Sequence, residues 1–190
     1  MTTTVIKRKR PPVKGKNVMA RLGLFAALLL GSSGVRADEL NTGDTAWMLT
    51  SSLLVLMMTI PGIALFYGGM VRKKNVLATL MQSFAVCCMA TIIWMVIGYS
   101  LAFSGEGPFV GDLGQFFLKG MGVNSMSGTI PESVFMMFQM TFAIITPALI
   151  TGAVAERIKF SSLMVFLGLW QIIVYAPVCH WVWGSGGFLG

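Results

Sequence analysis

Charge is scarce in this chain, and that scarcity excludes most classes of protein. Only 11% of its residues are Asp, Glu, Lys or Arg, where a soluble domain carries about 25%. Hydrophobic residues make up 55%, and they fall in long runs without a charge. Such a chain cannot cover itself for water, and the pattern is that of a multi-span membrane protein. Histidine occurs once and cysteine three times. His180 stands alone, and Cys87, Cys88 and Cys179 lie in apolar runs. No grouping has metal-ligand or nucleophile–base spacing, so no metal, cofactor or enzymatic chemistry is expected. The thiols read as small buried hydrophobes.

Acids are missing from residues 1–37, which hold Lys7, Arg8, Lys9, Arg10, Lys14, Lys16, Arg21 and Arg36. The remaining basic residues are slightly outnumbered by the acids, so the net charge of +7 belongs to this leader and implies no nucleic-acid partner. The leader has the layout of a secretory signal: a basic stretch, the apolar core LGLFAALLLG from Leu22 to Gly31, then VRA before Asp38. That core is far short of the roughly 20 residues that cross a bilayer. Cleavage after Ala37 is expected, the alternative being an uncleaved anchor helix. The basic tail is long for a signal, which makes Met19 an alternative start.

Four candidate membrane helices follow, at about 45–71, 76–103, 134–154 and 160–181, each with about the 20 apolar residues a crossing needs. The fold class expected is therefore an all-α polytopic membrane protein. Arg72, Lys73 and Lys74 make the first loop basic, and Arg157 and Lys159 outweigh Glu156 in the third. The second loop carries Glu106, Asp112 and Glu132 against Lys119. Loops one and three are thus expected on the cytoplasmic side and loop two outside, with a mature N-terminus in the periplasm. Trp47, Trp94, Tyr99, Phe103, Trp181 and Trp183 fall near outer ends and read as an interfacial aromatic belt. Phe116 and Phe117 suggest that the long loop packs on the surface. Pro61 and Pro147 are expected to kink the first and third spans.

No Asp, Glu, Lys or Arg lies inside any of the four spans. A cation held by charge within the membrane needs an ionisable partner, so any ion handled here must meet ring faces and neutral donors or acceptors. Phe138 and Phe142 are one turn apart on the outer half of the third span, about 6 Å and 12 Å below its end. The fourth span returns to that surface and delivers Trp183 just past its end. A Trp at a mouth with Phe rings beneath can hold a small cation by cation–π attraction, about 0.5–2 kcal/mol per contact, and stacked rings make a dry gate. The competing reading is plain packing for the Phe pair and membrane anchoring for the Trp.

Three separated motifs, TIPGIALFYGGMVRKKNVL, FQMTFAIITPALITGAVAERIKF and YAPVCHWVWGSGG, resemble in order and spacing the N-terminal part of the ammonium transporter family (the Amt/Mep/Rh proteins), the bacterial Amt branch above all. The resemblance covers about Asp38 to Gly190. It implies an eleven-helix fold of two inverted five-helix halves plus a last helix, one pore per subunit, and a homotrimer in the bacterial plasma membrane. It also implies a PII-type regulator docking on the cytoplasmic face near Arg72 to Lys74. By this resemblance Phe142 and Trp183 match the outer ammonium recruitment site. Phe142 matches the outer of two gate phenylalanines, and Phe138 the ring one turn above.

His180 does not match the family's histidine pair and reads as a structural polar residue near the outer surface. That pair, a serine of the recruitment site and the second gate ring would lie beyond Gly190. The chain is thus expected to be a fragment truncated before the fifth helix and inactive alone. Alternatives of other classes are an ammonium sensor on the same fold and a non-transporting membrane scaffold.

Overall fold

The computed structural model describes residues 40–189; the expected leader, residues 1–37, lies outside the described residues. Four helices are long and apolar enough to cross a membrane: α1 (Thr42–Met70), α2 (Lys73–Phe103), α3 (Glu132–Val154) and α4 (Phe160–Trp183). The protein is a multi-pass helical membrane protein. The expected spans are all present, each longer by two to three residues at one end, and the first ends one residue earlier. Trp183 is the last helical residue of α4 rather than a residue beyond it, because the helix continues until Gly184 turns extended.

Each start has a local cause. Asn41 caps α1, its Oδ1 accepting from the amides of Gly43 at 2.9 Å and Asp44 at 3.2 Å, which satisfies donors that a helix end leaves open. Glu132 opens α3, where a carboxylate complements the helix dipole.

Three spans contain a wide π-helical turn: Met58–Ile63 in α1, Trp94–Gly98 in α2 and Gln171–Tyr175 in α4. The first contains Pro61, whose missing N–H and ring bulk disrupt the ordinary i to i−4 pattern, so the expected irregularity takes the form of a π-bulge. α3 carries Pro147 without such a turn. Its α-helical pattern runs unbroken from Glu132 to Val154 through Pro147, and the Thr146 hydroxyl donates to Phe142 O at 2.7 Å beside it.

α3 packs on α1 and α2, and α2 also packs on α4. Near the basic end the core is Val86, Ala148, Leu163 and Leu167. Toward the other end it is Trp94, Tyr99, Ala102, Ala143 and Cys179. Small residues at these crossings let helices approach closely in a membrane, where packing rather than water exclusion drives association. Trp94 and Tyr99 are buried, so they belong to the core and not to the expected aromatic belt. Gly98 explains the tight fit of Trp94: a Cβ there would stand 2.9 Å from its ring. Trp47 is 70% exposed. Cys87 and Cys179 are buried as expected, but Cys88 is exposed.

The long loop is fastened to the bundle rather than free. Ser100 Oγ donates to Asp112 O at 2.8 Å, and Trp181 Nε1 donates to Phe109 O at 2.6 Å. The Asp112 carboxylate accepts from the Ser104 hydroxyl and from Gly114 N, and these bonds, the Ser104 one foremost, hold its carboxyl below the ordinary carboxylate range. A short hairpin, β1 (Met126–Ser127) with β2 (Ile130–Pro131), leads into α3. The phenylalanines do not do the packing: Phe117 is exposed, while Leu118 and Met121 tuck against the Trp94 core. The left-handed backbone at Phe117 and Leu118 turns the ring outward and the leucine in.

Candidate functional site: a ring-lined cavity at the loop end

α3 and α4 form the walls of an open cavity of about 370 Å³ at the end of the bundle that carries the long loop. Phe138, Phe142 and Trp183 all line it. The two phenylalanine rings meet edge to face, centroids 5.2 Å apart at 77°, a geometry favoured by the ring quadrupoles. Phe142 is 39% exposed and Trp183 69%, so both keep ring surface free for a ligand. Hydroxyls of Thr141 and Thr146 donate to the carbonyls of Phe138 and Phe142, at 2.6 Å and 2.7 Å. Those bonds remove polar groups from the helix face that carries the rings.

The spacing argument identified three lining residues and missed Gln139, Thr146, Tyr175, Val178, Cys179 and Val182. The signal for them was present. Positions 138, 142 and 146 on α3, and 175, 179 and 182 on α4, recur at the three-to-four spacing of one helix face. Sequence alone does not say which faces of two helices meet.

His180 lies one turn before Trp183 and is fully buried. Its Nδ1 is 2.9 Å from Ala102 O and its Nε2 is 2.6 Å from Gly107 O. The ring thereby ties the end of α4 to the end of α2 and the start of the loop. It takes no part in lining the cavity and is structural, as its place in the sequence suggested.

At the opposite end Glu156 joins the two basic loops. Its Oε1 accepts from Asn75 Nδ2 at 2.7 Å and from Arg72 N at 3.2 Å, and its Oε2 pairs with Arg72 Nε at 3.2 Å. The Asn75 amide first, then the Arg72 backbone N–H, hold the Glu156 carboxyl below its ordinary range. Among the described residues no His, Cys, Asp and Glu cluster is placed to hold a metal.

Four apolar spans, two of which wall a mostly apolar, ring-lined cavity open at one end, define a polytopic membrane protein. Comparison with known proteins gives the particular kind. The Ammonium Transporter Family model matches residues 46–190, and the chain belongs to that family. It is 52% identical over 150 residues to the ammonium transporter of Bacillus subtilis, covering 78% of this chain and 37% of that protein. With the ammonium transporter of Aquifex aeolicus it shares 47% identity over 177 residues, 90% of this chain and 41% of that one. The crystal structure of Candida albicans Mep2 superposes with a TM-score of 0.72 at 36% identity, covering 79% of this chain and 33% of that one. The fold is therefore a segment of the ammonium transporter fold. The chain spans well under half the length of the curated relatives it matches.

Proposed function

We propose that this chain forms the capture mouth and upper pore wall of a transporter of ammonium or ammonia. The observation that carries the reading is the meeting of Phe138, Phe142 and Trp183 around one cavity. In this reading Trp183 and Phe142 receive the ammonium ion by cation–π contact, and Phe142 with Phe138 forms the dry gate beneath. Fixing a bare cation in an apolar lumen costs many kcal/mol. Potassium cannot escape that cost, whereas ammonium can, by giving its proton to a base such as water at the mouth and passing as neutral ammonia.

The balance of Lys and Arg between the loops supports a periplasmic loop end and a cytoplasmic basic end, in the bacterial inner membrane after removal of residues 1–37. The family resemblance extends the proposal to a homotrimer, with a PII-type regulator at the basic end.

The test is uptake of labelled methylammonium by cells that lack their own ammonium transport and express the complete protein. Trp183→Leu removes the indole face, and a loss of about 0.5–2 kcal/mol raises the apparent KM roughly 2- to 30-fold with little change in maximal rate. An equal loss of rate at every concentration would assign Trp183 to folding rather than capture.

A further inference from the structure

A second open cavity, of about 440 Å³, adjoins the first and shares Trp183 with it. Its chemistry is different. Phe103 and Phe135 line it, as do Gln115, Ser185 and the Glu132 carboxylate, in a region where the first cavity offers almost only carbon. Glu132 is held in place: its Oε1 accepts from Tyr99 Oη at 3.2 Å and from Gln115 Nε2 at 2.9 Å. A carboxylate has about four acceptor sites, so the group keeps capacity for a further donor.

Ring faces and an anchored carboxylate make one kind of site. From these residues we infer that the Glu132 cavity is an antechamber which collects small N–H-bearing monocations, ammonium and methylammonium, and passes them across the Trp183 indole into the capture site. The inference rests on the transport reading above and adds a separate station to it. Glu132 supplies long-range attraction and a charge-assisted acceptor, while Phe103 and Phe135 present ring faces. Potassium feels the same charge, so the antechamber raises local cation concentration and leaves selection to the dry gate below. The place of Glu132 at the start of α3 gives it a dipole role as well, and the experiment separates the two.

Methylammonium uptake by the complete protein is measured at low and high ionic strength, with membrane abundance of each variant quantified. Glu132→Gln keeps the shape and an acceptor but removes the charge. It is expected to raise the apparent KM about 3- to 10-fold at low salt with unchanged maximal rate, and the difference should shrink as salt screens the field. Glu106→Gln removes an equal charge from an exposed site on the same loop and should leave KM within about 1.5-fold, as expected of a screened exposed charge. Ser127→Lys places a cation in the cavity wall without touching the start of α3, and should raise KM at least as much.

An unchanged KM in both Glu132→Gln and Ser127→Lys overturns the inference, as does an equal shift in Glu132→Gln and Glu106→Gln. If Trp183→Leu still raises KM in those cases, the capture reading survives and only the antechamber falls. If Trp183→Leu is also without effect, the capture reading falls too.

Discussion

Three residues show how position decides what a side chain is worth. His180 and Gln171 are both polar and fully buried in α4, yet their removal should differ. Replacing His180 by Ala leaves the carbonyls of Ala102 and Gly107 without the ring and opens a void. A neutral imidazole donates one N–H, so at least one of these carbonyls loses its donor, at a cost on the order of 1–3 kcal/mol. His180→Ala should therefore lower the thermal midpoint in detergent by several degrees, while Trp183→Leu leaves it nearly unchanged. Gln171 Nε2 donates to Ala90 O at 3.1 Å, but Ala90 O already accepts from Trp94 N. Gln171 Oε1 has no partner among the described residues. Gln171→Met fills the same space without a stranded acceptor, so its effect should lie within about 1 kcal/mol of neutral, measured by the same melts. Gly152 is the third case: a Cβ there would overlap the Tyr67 ring, whose hydroxyl donates to Leu149 O.

At the scale of elements, the loops do opposite jobs with few charges. The long loop closes over the end of α2 through Ser100, Asp112 and Trp181 and so fixes the wall around Trp183. The basic loops are clasped by Glu156, which sits in left-handed backbone at φ 63°. Because the folded carboxyl titrates below its unfolded value, its contribution is present above the ordinary carboxylate pKa and is lost as pH falls through the lowered folded value. Glu156→Gln should thus melt below the parent protein at neutral pH, and the two should converge as the pH falls from the ordinary carboxylate range through the lowered folded value. A gap that persists unchanged through that window would show that the carboxylate charge is not what clasps the loops.

At the scale of the whole molecule, many large apolar side chains among the described residues are exposed, Leu53, Leu65, Phe66, Leu77, Val165 and Ile173 among them. A bilayer covers some of this surface, and in the proposed transporter further helices cover the rest. The cavity rings are only half enclosed by α3 and α4, and a gate works only when its wall is complete. Cells expressing these 190 residues alone should therefore take up methylammonium no faster than cells with empty vector. Uptake above that level would mean that four helices suffice and would revise the gate proposal.

The sequence by itself determined the class, the number of spans and their limits to within three residues, because runs of about 20 apolar residues have no other stable use. It also put Phe138 and Phe142 on one face, because helical spacing is fixed. It misassigned Trp94, Tyr99 and Cys88, since an apolar side chain reads the same whether it meets lipid or protein, and hydropathy cannot separate those two surroundings. It missed that Leu118, not the phenylalanines, seats the loop. Only the tertiary structure decided which helix faces meet, and so joined Trp183 to the phenylalanines across α3 and α4 and set Glu132 beside them. The physical reason is that packing in an apolar solvent is chosen by shape and by a few hydrogen bonds, and neither leaves a periodic trace in the chain.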